Sequence, residues 1–128
     1  MKRNYLLILA VPVVTALVLA GTALGHTSKT PTLKGVVGPG FTISLKMGGK
    51  NVTKLKAGSY KFVITDKAAI HNYTVEREKP SKPKLETHAT STPFTGTKTV
   101  VINLKPGSWR AYCSVHEAQM QVNFKVTK

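Results

Sequence analysis

The chain has one cysteine in 128 residues, Cys113. A single thiol excludes an internal disulfide, so stability has to come from packing or from a bound metal. Carboxylates are scarce: five stand against nineteen lysines and arginines, for a formal net charge of +14. They are dispersed along the chain, and no Ser-His-acid pattern stands out, so catalysis is not expected. No stretch carries convincing helical spacing, which removes the element that a groove-reading protein lays into nucleic acid. Internal repeats are absent, and the length allows one domain.

What is present begins with an export signature. MKRNYLLILAVPVVTALVLAGTALG sets Lys2 and Arg3 before an apolar run, Tyr5 to Ala20, and then small residues. This is the order of a secretory signal, with Ala23-Leu24-Gly25 as an acceptable cleavage site. Residues 1–25 are therefore expected to be a signal peptide, with a retained membrane anchor as the alternative. A lipoprotein is excluded, because no cysteine lies near the signal. Residues 26–35, rich in Thr, Ser and Pro, are expected to form a flexible tether, and 36–128 the folded domain. The expected location is outside the cytoplasmic membrane: periplasmic, extracellular or tethered there. Without Lys2 and Arg3 the charge is about +12, from 14 − 2. The lysines alternate with apolar residues, as on solvated strand faces. They would also attract an acidic partner or an anionic envelope.

From residue 41 onward the pattern is period-2 alternation, the signature of half-buried strands. FTISLKM sets Phe41, Ile43 and Leu45 on one face. SYKFVIT does so with Tyr60, Phe62 and Ile64; HNYTVER with His71, Tyr73 and Val75; TVVINLK with Val100, Ile102 and Leu104. SWRAYC ends a strand at Cys113, and MQVNFKVT aligns Met120, Val122, Phe124 and Val126. Turn signals separate them at Gly38-Pro39-Gly40, Gly48-Gly49, Ala57-Gly58 and Pro106-Gly107. The segment from Glu76 to Phe94, with three prolines, reads as a long connection holding one short edge strand near Leu85. The expected fold is an all-β Greek-key sandwich or barrel of about seven to eight strands.

Strands that end at one pole bring distant residues together. His71 opens one strand, Cys113 closes another, His116 lies in the loop after it and Met120 opens the last. Two imidazoles, a thiolate and a weak thioether make a type 1 blue-copper site. The soft sulfurs suit Cu(I), the imidazoles also accept Cu(II), and a rigid sheet keeps one geometry for both. The spacing Cys-x-x-His-x-x-x-Met lets one tight loop supply three of the four donors.

HNY together with YCSVHEAQM resembles the cupredoxins, the plastocyanin-like blue copper proteins. VGPGFTISL, VTKLKAGSYKFVITDKAAIHNYTV and LKPGSWRAYCSVH are similar to the small exported bacterial members. The resemblance covers the chain from about Val36 to its end. It implies one copper per chain, held by His71, Cys113, His116 and Met120. It implies that Asn72 braces the ligand loop toward Ser114 and that its backbone N–H donates to the Cys113 sulfur. Plastocyanins usually carry proline where Val115 stands, which leaves an N–H that could also reach that sulfur. Their methionine gap is one residue longer, and the acidic docking patch some of them use is missing here.

For each residue the plainer reading is structural: a buried thiol for Cys113, a strand histidine for His71, a core methionine for Met120. Trp109 and Tyr112 are expected to be packing residues, and Glu117 a solvated loop residue. Ala68, Ala69, Ile70, Val115 and Ala118 could ring the His116 edge as an apolar collar. His26, if exposed by cleavage, offers an amine and an imidazole for a second copper. The expected function is a one-electron carrier, monomeric, that meets an acidic redox protein. The alternative is envelope copper storage or delivery, and a metal-free adhesion module comes third.

Overall fold

A computed structural model describes residues 29–128. The expected signal peptide and His26 lie outside these residues. Ten strands follow in chain order: β1 Thr32–Val37, β2 Ile43–Met47, β3 Lys50–Asn51, β4 Lys54–Lys56, β5 Gly58–Asp66, β6 Tyr73–Lys79, β7 Glu86–Thr90, β8 Gly96–Leu104, β9 Gly107–Tyr112 and β10 Gln121–Thr127. They form two five-stranded sheets, ordered β3-β2-β1-β5-β8 and β4-β10-β9-β6-β7. Each sheet is mixed: β1 runs parallel to β5, and β10 parallel to β4. The all-β sandwich expected from the alternation is what the chain forms.

The alternation also placed the core. Leu33, Leu45, Phe62 and Ile64 from the first sheet face Tyr73, Val75, Trp109, Phe124 and Val126 from the second, all buried. Trp109 stacks on Phe124 at 6.4 Å between centroids, and its indole N–H donates to the Lys105 carbonyl at 2.8 Å. Its packing role is as expected. Tyr73 crosses the core and donates its hydroxyl to the Ser44 carbonyl at 2.9 Å. Burial pushes the ionisation of that phenol far up, so it stays a donor.

Three strands were not legible beforehand. The stretch 26–35, expected as a tether, is strand from Thr32 on, with Leu33 and Val37 fully buried, so the domain begins before Val36. Gly35 hid this strand, because it interrupts the apolar alternation of TLKGVV. It is glycine for a packing reason: a Cβ there would lie 2.5 Å from Ile64 Cδ1 and 2.7 Å from the Tyr73 ring. β3 and β4 are two and three residues long, too short for periodicity to show. The edge strand expected near Leu85 is β7, beginning one residue later.

At one pole a buried hydroxyl joins three elements. Thr90, the last residue of β7, donates to Asp66 Oδ2 at 2.7 Å and accepts the Tyr73 N–H at 2.9 Å. Asp66, the end of β5, also accepts the Ala68 N–H at 3.3 Å. The connection that leads to His71 is thereby pinned at both ends.

Two substitutions test this packing by urea denaturation. Gly35→Ala should cost about 1–3 kcal/mol through overpacking, while Gly40→Ala, with no neighbour within 4 Å of its Cβ, should be near neutral. Thr90→Val leaves Asp66 Oδ2 and the Tyr73 N–H unpartnered and should cost about 2–4 kcal/mol. Thr65→Val, which removes an exposed bond to Thr97, should cost less than about 0.5 kcal/mol.

Candidate metal centre

The site forms where β6 starts, β9 ends and β10 returns. β6 and β9 pair antiparallel with Thr74 opposite Tyr112, so the residues just outside the pairing, His71 and Cys113, meet at the pole. The loop after Cys113 is closed by its own backbone. Cys113 N–H donates to the Met120 carbonyl at 3.0 Å, His116 N–H to the Cys113 carbonyl at 3.2 Å, and Met120 N–H to the His116 carbonyl at 3.0 Å. This is the short turn that the Cys-x-x-His-x-x-x-Met spacing requires.

His71, Cys113 and Met120 are fully buried, and His116 is partly exposed. The Nδ1 atoms of His71 and His116 are 3.1 Å apart. Cys113 Sγ lies 3.9 Å from the first and 3.8 Å from the second. Donors that share one ion at about 2.0–2.3 Å stand roughly 3–4 Å from each other, so these three atoms have a metal-site spacing. The thiol has no disulfide partner. His71, Cys113 and His116 also form a group whose donor atoms all lie within 4.8 Å of one another. A structural reading of Cys113 and His71 as isolated core residues does not explain this convergence.

The surroundings hold the donors still. Asn72 donates from Nδ2 to Ser114 Oγ at 2.7 Å and accepts the Ser114 N–H on Oδ1 at 2.8 Å. Its backbone N–H donates to Cys113 Sγ at 3.5 Å. Both contacts are those the resemblance implied. The Val115 N–H is not among the donors to that sulfur in the described residues, so the contact it could have made there is not formed. Gly38, at φ +74°, sits against the His71 ring; a Cβ there would come within 3.1 Å of His71 Cδ2. Glu117, expected to be solvated, is hydrogen-bonded to Arg110, which also binds Glu76 and lies over the Tyr112 ring at 4.0 Å. That cluster ties the ligand loop to β6 and β9. Its signal in the sequence was only an arginine among rare acids.

Phe41 is the residue sequence reasoning misplaced. Its alternation with Ile43 and Leu45 assigned it to the core, yet it is 59% exposed. The turn Gly38-Pro39-Gly40 closes on Thr42, through Gly38 N–H to the Thr42 carbonyl at 2.9 Å, so β2 starts only at Ile43. Phe41 instead packs edge-on against His116 at 4.9 Å and His71 at 5.8 Å. Ile70 and Val115, each next in sequence to a histidine of the cluster, are also more than half exposed.

No family model and no curated protein matches this chain. Solved structures do. The copper protein rusticyanin is 17% identical over 79% of this chain and 80% of its own, at a TM-score of 0.56. Reduced rusticyanin is also 17% identical, over 80% of this chain and 82% of its own, at 0.55. A multi-copper oxidase from Pediococcus acidilactici is 12% identical over 98% of this chain but only 31% of its own, at 0.54. With these neighbours, two mixed sheets in this order and a buried His-Cys-His cluster at their pole, the chain has the cupredoxin fold with a donor set that fits a type 1 copper site.

Proposed function

We propose that this protein is an exported one-electron carrier whose copper is held by His71, Cys113, His116 and Met120. The observation that carries the reading is the convergence of both Nδ1 atoms and the thiol sulfur at one pole. Bound there, copper would be held by His71, Cys113, His116 and Met120 and would supply a Cu(I)/Cu(II) couple. The protein's share is to hold the donors. The strand ends fix His71 and Cys113, the closed loop fixes His116 and Met120, and Asn72 locks one to the other. Four protein donors leave no open position for a substrate, which favours a carrier over an enzyme. The rusticyanin likeness supports the same reading at the level of the fold.

His116 is the one donor with an exposed edge, and the electron leaves through it. The collar around it is apolar: Phe41, Ile70 and Val115. A redox protein with an apolar face of its own fits this surface.

The test is the visible spectrum of the protein titrated with Cu(II). An intense thiolate-to-copper band that saturates at one equivalent and vanishes in Cys113→Ser is the expected result. Absence of the band, or loss of the thiol to oxidation, would sink the reading. Reversible voltammetry of the copper form supports a carrier, whereas rapid loss of copper to chelators supports delivery instead. Met120→Leu should keep the band and move the reduction potential; an unmoved potential would remove Met120 from the ligand set.

A further inference from the structure

The strands sort the charge by pole. At the pole opposite the His-Cys-His cluster lie the β2–β3 turn, β4, the ends of β6 and β10, and the β8–β9 turn. They carry Lys50, Lys54, Lys56, Lys79, Lys105 and Lys125, all exposed. None of these six belongs to an ion pair among the described residues. Lys54, Lys79 and Lys125 line one open cleft with Gly107, Ser108 and Val126, of about 530 Å³. At the cluster pole the described lysines number two, Lys67 and Lys98, and Lys98 lies over the Phe94 ring. The molecule is thus basic at one end and apolar at the other.

The chain also enters the domain at the basic end, because β1 runs from Thr32 there to Val37 beside the cluster. The apolar run Tyr5–Ala20 precedes that entry, joined to it by residues 21–31. Eleven residues of chain span at most about 40 Å. Any bilayer that receives the run therefore lies within reach of the lysine pole.

We propose that the lysine pole is a seat for an anionic lipid surface, which holds the domain with its cluster edge facing away from the membrane. Clustered lysines attract anionic lipid head groups through a field that falls off within a Debye length. A seat at this end leaves His116, Phe41, Ile70 and Val115 free to meet a partner. The inference does not depend on copper, since none of the six lysines belongs to the His-Cys-His cluster.

The test uses residues 29–128, which contain both sheets and the whole core, so that the apolar run does not insert on its own account. The domain is sedimented with vesicles of equal phosphatidylglycerol and phosphatidylcholine, and with phosphatidylcholine alone. Binding to the first and not the second, weakening as salt rises, is expected. Each lysine near such a surface contributes about fivefold. The triple variant Lys54→Gln, Lys79→Gln, Lys125→Gln should lose at least about tenfold. The charge-matched triple Lys34→Gln, Lys67→Gln, Lys98→Gln, one lysine at mid-strand and the two at the cluster pole, should lose less than about threefold. Equal losses would overturn the proposal, because attraction would then follow net charge and not the pole. So would absent binding at low salt, or heparin binding that displaces the vesicles at equal anionic charge, which would make the ligand a soluble polyanion. Circular dichroism on both triples confirms that each is folded.

Discussion

The closed turn from Cys113 to Met120 is the constraint on which the site depends. Four backbone hydrogen bonds tie its residues together, and the one from the Cys113 N–H to the Met120 carbonyl also joins the end of β9 to the start of β10. Because those strands pair from Gln121–Tyr112 onward, the turn cannot shift without slipping the register of the second sheet. A register slip by one residue would send every side chain to the opposite face. Cys113 and Met120 are therefore held by the same bonds that hold the core.

The rest of the pole is built against that turn. His71 arrives on a connection anchored by Asp66 and Thr90, both buried and hydrogen-bonded to each other. Asn72 then bonds across to Ser114, so the two ligand-bearing segments are joined directly and not only through a metal. Pre-organisation of this kind suits a centre whose ligands should not move when its charge changes. The glycines serve the same end: Gly35 lets the Tyr73 ring pass, and Gly38 makes room for the His71 ring.

The two poles divide the labour. The cluster end is apolar where it is exposed, and the far end carries unpaired lysines. Total charge had pointed to an acidic redox partner. The structure gathers that charge at the end away from the exposed edge of His116.

Alternation with period 2 determined the sandwich and most of its core, since a half-buried strand needs that pattern wherever it lies. The cluster was legible because Cys113 and His116 are close in the chain and Cys113 is its single thiol. Tertiary structure alone decided three things. Thr32–Val37 is a strand because Gly35 fits under Tyr73, a contact 38 residues away in sequence (73 − 35). Phe41 faces the imidazoles because a turn holds it outside β2. The lysines gather at one pole because strand direction, which no local pattern encodes, sets which end of each strand meets the others.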